Sequence, residues 1–185
     1  MTQRASTFYV LLALGAVVAG LTLAESYWRS SGGAEVGAPA PEAAAFGPDG
    51  REWRLSEMRG QVVLLDFWAR WCDPCVQMMP TLDRLAARLA ARPFRLFSIN
   101  IEPAPADEIR SWLAQRGHRL PFAQDRFDRA RAAFGVSRLP MLVLVGPDGV
   151  VRRVYQEPPE ASSLEADIGA LLPAKAAGQL GQGPP

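Results

Sequence analysis

The sequence holds two cysteines, one histidine (His118) and one lysine (Lys175) in 185 residues. Two cysteines cannot staple a disulfide-dependent fold, so the core must rest on the chain's apolar content of 49%. A lone histidine leaves no histidine-rich metal set and is weak material for a Cys–His nucleophile. Net charge is scarce as well: 20 Lys+Arg against 19 Asp+Glu leave +1. A balance so close to zero gives nucleic acid or an acidic surface no electrostatic hold. The arginine bias, set beside abundant alanine, reads as coding preference and not as a binding surface.

What is present is concentrated in one pentad, Trp71-Cys72-Asp73-Pro74-Cys75, which contains both cysteines. Thiols at this spacing can meet when a helix begins between them, closing a small reversible disulfide. The run Val62-Val63-Leu64-Leu65-Asp66-Phe67 ahead of the pentad suits a strand buried on both faces. From Cys72 to about Ala91 the apolar residues Val76, Met79, Leu82, Leu85 and Leu89 recur at helical spacing. Pro74 fits the first helical turn, whereas Pro80 lies deeper and predicts a kink. Cys72 thus falls where strand gives way to helix, and the unpaired amides and dipole there favour a thiolate. This makes Cys72 the attacking sulfur, with Cys75, one turn inside and more buried, resolving the mixed disulfide. The bland alternatives are a structural disulfide or two inert thiols.

The rest of the chain is organised around that site. Residues 1–7 read as a short cytoplasmic N-terminus and 8–24 as a membrane anchor or signal segment. Phe8 to Ala24 is free of charge, long enough at about 1.5 Å per residue to come close to spanning a bilayer. Arg4 before it gives a weak positive-inside bias that places the remainder outside the cytoplasm. Thr22-Leu23-Ala24 would serve as a cleavage site if the segment is removed. Residues 25–45 read as a flexible linker, 46–173 as the folded domain and 174–185 as a disordered tail. Inside the domain, two Gly-Pro-Asp-Gly strings, at 47–50 and 146–149, predict hairpin turns. Phe94 to Ile101 predicts a strand, Pro105 to Arg116 a helix, Arg126 to Phe134 a short helix, and Met141 to Val145 with Val150 to Tyr155 a hairpin. Ser162 and Glu165 form a capping box for a last helix that Pro173 ends. Early strand–helix alternation followed by a late hairpin predicts an α/β fold with a mixed central sheet.

The stretch Asp66-Phe67-Trp68-Ala69-Arg70-Trp71-Cys72-Asp73-Pro74-Cys75 resembles the active-site segment of thioredoxins. With the N-terminal segment, the leading hairpin, the helix at 105–116 and Gly135-Val136-Ser137-Arg138-Leu139-Pro140, the chain is similar to TlpA-like membrane-tethered thiol–disulfide oxidoreductases. The resemblance runs from about Val36 to Leu172. It implies a thioredoxin-like fold whose redox group is the Cys72–Cys75 pair, with no added cofactor. It implies that Asp66 moves a proton to or from Cys75, and that the Leu139–Pro140 bond is cis and packed against the cysteines. Leu139 backbone and Trp71 would then meet an extended client segment. Its partners would be extracytoplasmic client proteins and, as electron source, a membrane thiol transporter of the DsbD or CcdA type. Relatives of this branch serve cytochrome c and metal-centre maturation. They commonly carry glutamate where Met78 stands, asparagine where Asp66 stands, and threonine or glutamate where Met141 stands, so the client stays open. Asp73, acidic and next to Cys72, works against extra thiolate stabilisation and favours a reductase over a strong oxidant.

Met78 and Met79 raise a reading of a different class. Thiolates and thioethers are soft ligands for Cu(I), which would make the chain a copper metallochaperone or assembly factor. Core packing is the competing use of both methionines.

Overall fold

The computed structural model describes residues 33–173. The expected N-terminus, membrane segment and tail lie outside the described residues. Among the described residues no helix is long and apolar enough to cross a membrane.

The sheet grows outward from the run that ends at Trp68. Strand β3 (Val62–Trp68) is buried at every position. It pairs in parallel with β4 (Phe94–Asn100) and antiparallel with β6 (Met141–Val145). The hairpin partner of β6 is β7 (Val151–Tyr155), joined through the second Gly-Pro-Asp-Gly turn, where Gly146 and Val150 pair. On the other side β4 carries β5 (Phe122–Gln124), then β1 (Ala44–Phe46) and β2 (Glu52–Arg54), giving the order β2-β1-β5-β4-β3-β6-β7. The mixed sheet is the architecture expected, with the parallel β3–β4 pair at its centre and antiparallel strands at both edges.

Alternation along β3 divides the core into two layers. Val62, Leu64 and Trp68 face helix α1 (Asp73–Arg88), helix α2 (Ala106–Gln115) and helix α4 (Ala161–Leu171), through Leu82, Ile109 and Ile168 among others. Val63, Leu65 and Phe67 face the opposite layer, where Phe134 and Ala130 of the region around the short helix α3 (Arg129–Ala133) pack. Helix α1 buries Cys75, Met78, Met79, Leu82 and Leu85, one stripe at helical spacing. It runs through Pro80 as a single helix and ends at Arg88, short of the Ala91 predicted.

Two expectations are corrected, and one strand was missed. The described part of the expected linker is bound to the domain. Gly37 N–H donates to Val151 O and Ala40 N–H to Gly149 O, each at 2.9 Å, and Ala43 and Ala45 are fully buried. Its Gly, Ala and Pro content lets the backbone lie close to the sheet, and the same composition mimics a tether. The capping box does not form: α4 begins at Ala161, with Glu160 at the cap and no side-chain capping bond. Strand β5 was not anticipated. It is three residues long, and all three are buried between β4 and β1.

Candidate active site

The C-terminal ends of β3 and β4 and the N-terminal end of β6 meet at one edge of the sheet. Phe67 opposes Met141 and Trp68 opposes Asn100, so the pentad after β3, the loop after β4 and Pro140 before β6 are brought together by register. Cys72 caps α1. Its N–H donates to Ala69 O at 3.1 Å, its carbonyl accepts from Val76, and its Sγ accepts from Cys75 N–H at 3.3 Å. Pro74 lies in the first turn, where the missing N–H costs nothing. The sulfurs of Cys72 and Cys75 are joined as a disulfide, with Cα atoms 5.3 Å apart. The pair is in its oxidised form here. Both residues are buried, at 4% and 3% exposure, so the expected contrast in depth is absent in this state. Trp71 stands out beside them at 68% exposed.

Asp66 shares its sheet face with Val62, Leu64 and Trp68, the layer that contains Cys75 and Leu142. It is buried, and Ser98, its register partner on β4, donates a hydroxyl hydrogen bond to Oδ2 at 3.0 Å. Burial raises its pKa from an ordinary 3.8 to about 7, because the ionised form is poorly solvated; the Ser98 bond pulls the other way and loses. Near neutrality this carboxyl can therefore either accept or release a proton.

Pro140 is buried and the Leu139–Pro140 peptide is cis. The approach to it is set by the end of α3. Gly135, at φ 65°, closes a Schellman turn in which Val136 N–H donates to Arg131 O and Gly135 N–H to Ala132 O. Helix α3 itself is held by Asp125, whose carboxylate accepts the N–H groups of Arg129 and Arg131. Leu139 packs against both core layers. Together with Trp71, Glu102, Pro103, Arg131 and Arg138 it lines a cleft of about 210 Å³ beside the cysteines.

The sequence reading missed the group that fixes the loop before Cys72. Glu102, in the loop after β4, accepts from the backbone N–H of Arg70 and from Arg70 Nε at 3.0 Å. Asn100 locks Glu102 in turn, accepting its N–H at 3.0 Å. A second carboxylate, Glu108, takes the other side of the Arg70 guanidinium and, foremost among the causes, raises its pKa. The signal that points to Glu102 is topological, since loops after adjacent parallel strands lie side by side.

The remaining candidates go elsewhere. Met78 and Met79 are spent in the core layer that also holds Leu82 and Leu85, and no observation favours the copper reading. His118 follows Gly117, which ends α2 at φ 75°, and its Nδ1 lies 2.8 Å from Asp83 Oδ2. Asp83 also accepts Arg119 N–H, so this carboxylate of α1 pins the loop after α2. Trp68 stacks on Trp112, whose other contact is the Arg116 guanidinium at 4.1 Å.

A Cys-x-x-Cys pair joined as a disulfide at a helix start, packed in the core layer that the buried Asp66 faces, is equipment for thiol–disulfide exchange. On this fold it defines a thioredoxin-like thiol–disulfide oxidoreductase. The chain belongs to the Redoxin family, whose model matches residues 35–171. Thiol-disulfide oxidoreductase ResA of Geobacillus thermodenitrificans is 29% identical over 152 residues, 82% of this chain and 87% of the relative. ResA of Geobacillus kaustophilus is 27% identical over 173 residues, 94% and 97% of the two chains. A solved structure described as a putative thiol:disulfide interchange protein DsbE from Chlorobium tepidum superimposes with a TM-score of 0.67 at 31% identity. The match covers 75% of this chain and 98% of that one.

Proposed function

We propose that this oxidoreductase works outside the cytoplasm as a membrane-tethered reductase of disulfides in client proteins. The observation that carries the mechanism is the Cys72–Cys75 disulfide at the start of α1, packed in the core layer that the buried Asp66 faces. In the reduced protein, the Cys72 thiolate attacks one sulfur of a client disulfide. A mixed disulfide forms and one client thiolate leaves. Asp66 takes the proton of Cys75, whose thiolate then attacks Cys72 Sγ. That closes Cys72–Cys75 and releases the second client thiolate. Two electrons pass to the client, whose two leaving thiolates are protonated by solvent, into which Cys72 had released its own proton and Asp66 now releases the one taken from Cys75.

Each residue of the site has a share in this sequence. The helix start and the Cys75 N–H stabilise the Cys72 thiolate. Trp71 and Leu139 border the cleft into which the client segment extends, and Pro140 places the Leu139 backbone for strand-like pairing with it. Export rests on the uncharged run from Phe8 to Ala24, which supports an inner-membrane location with the domain facing the periplasm or its equivalent. A membrane thiol transporter of the DsbD or CcdA type would return the pair to the dithiol. Cytochrome c or metal-centre maturation proteins are the clients that the TlpA-like resemblance suggests.

The direction of electron flow is tested by equilibrating the protein with glutathione. Asp73 beside Cys72 favours a potential well below the strong-oxidant range, which lies near about −120 mV. A value in that range would make the chain an oxidase.

A further inference from the structure

The cleft beside the cysteines is charged in one sense. Glu102 is its only carboxylate among the lining residues, and it is committed: 10% exposed, it holds Arg70 and Asn100. Arg138 is exposed and donates to Gln156 Oε1 at 2.8 Å; among the described residues it makes no ion pair. Arg131, 44% exposed, lies 3.6 Å from Asp128 and donates from Nε to Val136 O at 3.3 Å. Arg126 and Arg129 stand on the same segment, over the rings of Phe46 and Phe127. Asp125 is buried and used up in capping α3. In a chain of net charge +1 the cleft lining therefore carries two arginines against one carboxylate already paired with Arg70, while the exposed Asp73 beside Cys72 is not among the lining residues.

We propose that Arg138, assisted by Arg131, selects client disulfides whose flanking extended segment carries an aspartate or glutamate side chain. The inference rests on the client-reductase reading above and adds the chemistry of the client. A segment that pairs with Leu139 and presents its sulfur to Cys72 passes Trp71 and lies along the cleft. A carboxylate on it can accept both arms of the Arg138 guanidinium. Such a charge acts on encounter and register more than on final affinity. It takes no part in the electron transfer, which follows the balanced exchange already given.

The test uses the full-length reduced protein and three short peptides, each with one cysteine blocked as a disulfide with a chromogenic thiol. They differ only in flanking residues, which are Asp, Asn or Lys. The Asp peptide is expected to react about five- to ten-fold faster than the Asn peptide at low salt, and the Lys peptide slowest. Near 1 M salt, where the screening length is about 3 Å, the three rates should converge. Arg138→Glu should reverse the order of Asp and Lys, which a loss of structure alone would not do. Equal rates at low salt, or a preference for Lys in the unmodified protein, overturn the inference while leaving the reductase reading intact. Failure to cleave all three overturns both.

Discussion

Ser98 donates a hydrogen bond to Asp66 at 3.0 Å between directly paired residues of β4 and β3. The bond steadies a carboxylate that burial would otherwise keep protonated even further above neutrality. If Asp66 is the base that deprotonates Cys75, resolution of the mixed disulfide should quicken as pH rises through about 7 and then level off. Asp66→Asn should slow that step on the order of 10²-fold and erase the inflection. Stopped-flow decay of a preformed mixed disulfide reads both. An unchanged profile would remove Asp66 from the mechanism.

The same carboxyl links stability to pH. Its folded pKa of about 7 stands above the ordinary 3.8, so between those values the folded chain binds more protons than the unfolded one. Stability is then full below pH 4 and falls as pH rises to about 7, by up to about 4 kcal/mol for this group. Asp66→Asn lacks the ionisation. Urea melts of the oxidised proteins should show the variant gaining on the parent from pH 4 to pH 8; a gap that stays constant with pH would contradict the assignment.

Glu102 is a positioning residue. Glu102→Gln keeps the shape but weakens the bonds to the Arg70 backbone and guanidinium, at a cost of about 1–2 kcal/mol. With the loop before Cys72 loosened, attack on a small disulfide should slow, while the pH midpoint of the resolving step stays near 7 because Asp66 is untouched. Denaturant melts and the two rate constants separate the effects.

His118→Ala should cost about 1 kcal/mol by releasing the loop after α2 from Asp83. Turnover with a peptide disulfide should not change, since that contact joins α1 to α2 away from the cysteines. A large loss of turnover at full folding would bring His118 into the chemistry.

Much of the site could be read from the order of residues, because its chemistry is local. Cys72, Cys75 and Pro74 lie in one turn, and the buried run around Asp66 precedes them directly. Partners set by register were not legible. Ser98 meets Asp66, and Glu102 meets Arg70, across 32 positions, and only the parallel pairing of β3 with β4 makes them neighbours. Strand β5 is too short to show alternation, and the packed segment at 33–45 hides behind small residues that composition assigns to linkers. The Ser162 capping box failed because α4 starts at Ala161, two residues before the start that a Ser162 cap requires, which puts Ser162 inside the first turn. Arginine count said nothing about Arg138, since its meaning comes from the cleft it shares with Trp71 and Leu139.

The division of labour between the cysteines is the centre of the account, and trapping tests it most directly. Reduced Cys75→Ser and Cys72→Ser proteins are each mixed with a peptide disulfide and with extracytoplasmic extract, and adducts are resolved without reductant. The account predicts stable, thiol-reversible mixed disulfides on Cys72 in Cys75→Ser and almost none in Cys72→Ser. Adducts that accumulate on Cys75 in Cys72→Ser, or none in either protein, would contradict it.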